Sequence, residues 1–189
     1  EGRCHTVQGD ITVDAEVENF RTFAEAIVPA IDILVNNAGI DIEQANPGIE
    51  EVGIDLLEHV FAVNTLGTVR VCKALLPLVR KSALPTRGLI ANTTSGLASM
   101  SNPVMMTRYG YMMSKVSINM LSRGMAFEFA EDGPTVVAWS PGWVQTRLGT
   151  PAATYTLDAG GRGNVTTLKS ITRDQSGKVI DMSGEEWSF

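Results

Sequence analysis

Short apolar runs alternate with longer stretches of helical periodicity along the whole chain. His5–Gln8 reads as a short strand ending at Gly9-Asp10. Over Asp14–Ile27, Val17, Phe20, Ala24 and Ile27 fall on one stripe and predict a helix. Ile31–Val35 is apolar except for Asp32 and stops at Asn36-Asn37-Ala38-Gly39, the pattern of a buried strand followed by a tight loop. From Glu50 to Lys81, Leu56, Val60, Val63, Gly67, Val71, Ala74 and Leu78 recur at steps of three and four, which predicts a long helix. Gly88–Asn92 is the next strand and runs into Thr93-Thr94-Ser95-Gly96. Tyr109–Glu131 is helical again and is closed by Asp132-Gly133-Pro134. Thr135–Trp139 is a strand ending in Ser140-Pro141-Gly142. A Gly-rich stretch at Ala159–Asn164 precedes a weak helix near Val165–Ile171, and Lys178–Met182 is the last strand. Strands separated by helical lengths need right-handed crossovers and a parallel sheet covered on both faces. The predicted fold is a single α/β domain with a doubly wound parallel sheet.

Composition narrows the partners more than the fold. At 189 residues the chain suits one domain with a sizeable core. Its 19% charged residues fall below the usual share of about a quarter, which argues against long disorder. A net charge of −6 argues against nucleic acid or an anionic membrane surface as partner. No uninterrupted apolar run nears the roughly 20 residues of a spanning helix, and no signal-peptide pattern opens the chain. The expected localisation is cytoplasmic. Cys4 and Cys72 are isolated, and His5 and His59 have no metal-type spacing around them, so neither a disulfide framework nor a metal site is expected.

In doubly wound sheets ligands bind beyond the carboxyl ends of the strands. Three strands here turn polar or glycine-rich at those ends: Asn36-Asn37-Ala38-Gly39, Thr93-Thr94-Ser95 and Ser140-Pro141-Gly142. Any one of these loops could simply turn the chain; three in register point to a ligand crevice. The helix after the second strand carries Tyr111 and Lys115 at i, i+4, on one face. A lysine ammonium beside a phenol favours the phenolate, which makes Tyr111 a candidate general acid/base. The plainer reading is a surface cation resting on an aromatic ring. Asn64 lies on the apolar face of its helix among Val60, Val63, Gly67 and Val71, where a buried amide needs partners, structural or functional.

Asn-Asn-Ala-Gly at 36–39, mid-helix Asn64, Ser95, Tyr-x-x-x-Lys at 111–115 and Pro-Gly-x-x-x-Thr at 141–146 together resemble the short-chain dehydrogenase/reductase family across about residues 5–182. Tyr111-Met112-Met113-Ser114-Lys115, Asn119-Met120 and Pro141–Thr146, with the ending from Ser176 to Trp187, are similar to its C-factor/sniffer-like carbonyl-reductase branch. The resemblance implies an NAD(P)(H)-dependent oxidoreductase that interconverts a carbonyl and an alcohol, with NADP favoured over NAD. Tyr111 would exchange the proton with the substrate oxygen, and Ser95 would hold that oxygen. Lys115 would lower the tyrosine pKa and bind the nicotinamide ribose, and Asn64 would hold a relay water. Asp10 and Ile11 match the adenine contact, Asn37, with Ala38 and Gly39, the loop beside the adenosine ribose, and Val144 and Thr146 the carboxamide grip. A small carbonyl or alcohol substrate and a homo-oligomer through the long helices are the implied partners. Arg147–Asn164 would close over substrate, and Met100, Met105 and Met106 could line an apolar pocket or simply fill gaps.

One family feature has no counterpart. The first strand and its Gly-rich turn, which hold the pyrophosphate at a helix N-terminus, are not found, and Gly160, Gly161 and Gly163 follow no strand and cannot replace them. In the family's sheet order His5–Gln8 would then have no neighbour, and Ile31–Val35 would become an apolar edge. With Glu1 as its first residue, the chain is expected to be a fragment lacking one βαβ unit of roughly 30 residues or more. Such a chain would bind cofactor poorly. The alternative expectation is a non-catalytic remnant or partner-binding module.

Overall fold

A computed structural model describes residues 4–42, 47–102 and 108–188. Its sheet has the order β1 (Ile33–Asn36), β2 (Leu89–Thr93), β3 (Thr135–Ser140), β4 (Val179–Asp181) and β5 (Glu186–Trp187). The first four strands are parallel in sequence order, and β5 turns back antiparallel on β4. Helix α1 (Asp14–Ile27) leads into β1, and α2 (Ile54–Phe61) with α3 (Thr68–Val79), α4 (Tyr109–Glu128) and α5 (Leu157–Ser170) make the three crossovers. The doubly wound α/β architecture is therefore the one the alternating pattern predicts.

The central strands β2 and β3 are buried at every position because both faces are covered. Ile90 and Val136 point to one face, where Leu75, Leu78 and Val79 of α3 and Ala126 of α4 meet them. Leu89, Ala91, Val137 and Trp139 point to the other, against Leu168 of α5, Ile171 and Ile180. The alternation of neighbouring residues between two cores is the strand period of two. At β1 the second face is open: Val35 is 40% exposed, and no described strand pairs with the outer edge of β1. The apolar edge is as expected. Residues His5–Gln8, expected as a short strand, lie outside any strand, having no neighbour to supply hydrogen bonds.

Three other expectations are corrected. The predicted helix over Glu50–Lys81 is a continuous helix from Ile54 to Val79, but its middle, Ala62–Gly67, opens into a π-helical turn. At 26 residues this helix is long and apolar enough, by length and composition, to cross a membrane. A search for uninterrupted apolar runs misses it because Asp55, Glu58, Arg70 and Lys73 punctuate it. It packs within the domain, on α4 and α1. The Gly-rich stretch at 159–164 is helix rather than loop, since α5 begins at Leu157 behind a Thr156 cap. Gly160 is required by close approach, for an added methyl would lie 2.7 Å from a Val144 methyl. Strand β5 is too short to show in a periodic pattern.

Candidate active site

Because β1, β2 and β3 are parallel, their carboxyl ends open on one side of the sheet, and the polar loops that follow them converge there. Asn37, Ala38 and Gly39 are exposed beyond β1. Thr93 Oγ1 donates weakly to Asn37 Oδ1 at 3.4 Å, joining the first two loops. Thr94 N–H donates to Trp139 O at 2.7 Å, joining the second to the third. Gly142, with φ +77°, makes the turn after β3 that other residues resist.

Asn64 occupies the π turn and is 1% exposed. A widened turn of this kind often marks a functional site. Its amide is committed on both sides: Oδ1 accepts from Ile40 N–H at 2.8 Å, while Nδ2 donates to Ile40 O at 2.9 Å and Ser114 Oγ at 3.0 Å. Asn64 thus ties the loop after β1 to the helix that carries Tyr111 and Lys115. Its backbone carbonyl accepts from Thr68 Oγ1 at 2.8 Å. The amide is fully partnered, as a buried amide must be.

Helix α4 presents Tyr111 and Lys115 inward, 8% and 3% exposed. Lys115 Nζ donates to Thr93 O at 2.8 Å and lies 5.5 Å from the centre of the Tyr111 ring. Burial alone pulls its pKa down to about 8. Gly39 is packed against the same ammonium and against Asn64, since an added methyl would sit 3.5 Å from Nζ and 3.2 Å from Asn64 Oδ1. Tyr111 and Ser95 share a hydrogen bond, and Ser95 Oγ also accepts from Leu97 N–H at 3.2 Å. The phenol is pushed up by burial first, with the Ser95 bond opposing. That corrects the direction expected from the lysine: desolvation of a buried phenolate outweighs the favourable contacts here. A hydroxyl, a phenol and an ammonium are thus brought near one another at the carboxyl ends of the strands.

The other sequence candidates fall around this centre. Asp10 is exposed and turns the chain into α1, its carboxylate accepting from Thr12 N–H and Oγ1, both at 2.8 Å. Those bonds hold it below the usual carboxylate range. Ile11 packs on Gly67, where an added methyl would meet it at 2.5 Å, and lines a cleft with Phe20, Val35, Ala38 and Val71 beside the open edge of β1. Val144 pairs with Tyr155 and rests on Gly160; Thr146 is exposed, and its Oγ1 accepts from Gly149 N–H at 3.0 Å. Met100 is 74% exposed; Met105 and Met106 lie outside the described residues. Cys72 is inert, its thiol pushed up to about 12 by burial. Among the described residues no group of metal-ligating side chains occurs.

Two residues escape sequence reasoning. Asp41 follows Ile40, and Arg108 caps α4 one turn before Tyr111; the two form an ion pair with the Asp41 side chain 7% exposed. Neither lies in a periodic pattern, and only their opposite charges beside two motif ends signal them.

A doubly wound sheet with a polar crevice at the carboxyl ends of its strands belongs to the class of α/β folds that hold ligands there. The family model for short chain dehydrogenases matches residues 1–155, and the chain belongs to this family. It is 33% identical over 167 residues to the C-signal protein of Myxococcus xanthus, covering 88% of this chain and 98% of that protein. The carbonyl reductase Sniffer of Drosophila melanogaster superposes with a TM-score of 0.92, over 98% of this chain and 78% of that one, at 22% identity, a likeness of fold. A Burkholderia multivorans short-chain dehydrogenase/reductase structure with bound NADP gives a TM-score of 0.80 at 28% identity, covering 96% of this chain and 75% of that one. The chain spans only 48% to 74% of the length of several other curated relatives.

Proposed function

We propose that the chain carries the catalytic residues of an NAD(P)(H)-dependent reductase that interconverts a small carbonyl compound and its alcohol. The observation that supports this best is the convergence of Tyr111, Ser95, Lys115 and Asn64 from α4, the β2 loop and the π turn. The nicotinamide cofactor supplies and accepts hydride when bound. Ser95 Oγ and the Tyr111 phenol hold the substrate oxygen, and the phenol gives it a proton in reduction. Lys115 is a buried cation able to hold ribose hydroxyls and to favour the phenolate in the reverse direction. Asn64, its amide committed to Ile40 and Ser114, fixes the loop beside Lys115.

The crevice offers contacts for the adenosine ribose and for the carboxamide of such a cofactor. Asn37, Ala38 and Gly39 offer an exposed, small-residue loop, and Val144 and Thr146 border the third strand end. NADP is favoured by the bound ligand of the Burkholderia structure. Among the described residues no Gly-rich strand-to-helix turn for the pyrophosphate occurs. Titrating NADPH into the 189-residue chain is therefore expected to show no saturation below about 1 mM. Micromolar binding would overturn this division of the site. With millimolar NADPH and a panel of small aldehydes and ketones, slow catalytic consumption is expected; none with any substrate would leave the partner-binding reading, which the open edge of β1 favours.

A further inference from the structure

We propose that Asp41 and Arg108 are a positioning pair for Tyr111: a buried carboxylate, fixed through Asn64, holds a guanidinium at the N-cap of the helix that carries the phenol, and the two opposed charges bias its proton transfer. The proposal rests on the reading of Tyr111 as the proton donor and extends it to residues outside the family motifs.

The chain of positioning is short. Asn64 grips Ile40 at both its N–H and its carbonyl, at 2.8 and 2.9 Å, which leaves Asp41 little freedom in the next position. One Asp41 oxygen accepts from Arg108; the other, Oδ1, is buried without a hydrogen-bond partner. A buried carboxylate so incompletely satisfied depends on its one cation, and removing that cation leaves an uncompensated charge. Arg108 is the N-cap residue of α4, and its carbonyl accepts from Met112 N–H at 2.8 Å. It stands three positions before Tyr111, at the mouth of the first turn that carries the phenol.

Both charges reach the phenol. Asp41 acts to raise its pKa and Arg108 to lower it, after burial and the Ser95 bond. Of the other cations on α4, Lys115 has its ammonium turned to Thr93 O and Arg123 reaches toward Gly177 O. On α2, which packs against α4, Asp55, Glu58 and His59 are exposed, as are Arg147 and Asp158 beyond β3. The Asp41–Arg108 pair is thus the adjustable electrostatic element beside the proton donor. Truncating one member unbalances it, and neutralising both returns the phenol near its original state.

The test reads Tyr111 directly. Carbon-13 labelling of the tyrosine ring carbon that bears the hydroxyl, with Tyr111→Phe to assign its resonance among three tyrosines, follows the titration in the 189-residue chain without cofactor. Asp41→Asn is expected to move the Tyr111 midpoint down and Arg108→Gln to move it up. The double variant Asp41→Asn/Arg108→Gln is expected to lie between them. An unmoved midpoint in Asp41→Asn, or a double variant shifted as far as Asp41→Asn alone, would overturn the pair's role, even if Arg108→Gln alone fails to fold. Loss of the reductase reading itself would appear separately, as turnover unaffected by Tyr111→Phe.

Discussion

Replacing Tyr111 by phenylalanine is expected to lower carbonyl reduction by on the order of 10³-fold, within the span that a positioned acid/base contributes. The substitution deletes one oxygen from a ring that is already 8% exposed, so the core around it keeps its shape. What is lost locally is the hydrogen bond with Ser95, worth about 1 kcal/mol, and Ser95 retains its contact with Leu97 N–H. The fall should therefore appear in turnover, with a melting temperature shifted by only a few degrees. Rates with millimolar NADPH and a small aldehyde, alongside thermal melts of both proteins, check it. Turnover within threefold of the parent would remove Tyr111 from the chemistry.

Replacing Lys115 by methionine is expected to abolish activity and at the same time to stabilise the protein at neutral pH. Burial lowers the folded pKa of Lys115 from 10.5 to about 8, so holding its charge at pH 7 costs about 3 kcal/mol. The sign follows from proton binding: between pH 8 and 10.5 the unfolded chain holds the proton that the folded chain has released. The lysine protein therefore gains stability as pH rises through that window. Methionine fills the same volume without charge but leaves Thr93 O without its 2.8 Å donor, a loss of about 1–2 kcal/mol. A net gain of about 1–2 kcal/mol is expected below pH 8, shrinking and reversing by pH 10.5. Urea unfolding at pH 7 and pH 10 reads both values. A variant equally destabilised at the two pH values would show that burial does not strain this lysine. Such a residue exchanges stability for function.

Where local pattern and tertiary demand agree, the sequence is legible. Gly88–Asn92 and Thr135–Trp139 read as buried strands because both faces of the sheet are covered and no alternation is needed, whereas Ile31–Val35 carries the same apolar run although one face of β1 is open. Asn64 stands out because an amide on an apolar stripe demands partners, yet nothing in its neighbours announces the π turn it occupies. The glycines of α5 mislead for a physical reason. Glycine weakens a helix by itself, and only the approach of Val144 to Gly160 explains its place there. The direction of the Tyr111 shift is hidden as well. Spacing shows that Lys115 is near, but whether its charge or the loss of water prevails depends on burial that no spacing encodes. Asp41 and Arg108 meet across 67 positions of sequence, and only the folded loop after β1 brings them together.

The central claim is that hydride and proton reach one carbonyl group at the Tyr111–Ser95 space. It is tested most directly by following isotope. The 189-residue chain is incubated with millimolar NADPH deuterated at the transferring carbon and with a small aldehyde, and the alcohol formed is analysed by mass spectrometry. The expected result is alcohol carrying one deuterium at the former carbonyl carbon, on a single face, with formation suppressed on the order of 10³-fold in Tyr111→Phe. Deuterated alcohol formed equally fast by both proteins, or none from the parent chain at any cofactor concentration, would contradict it.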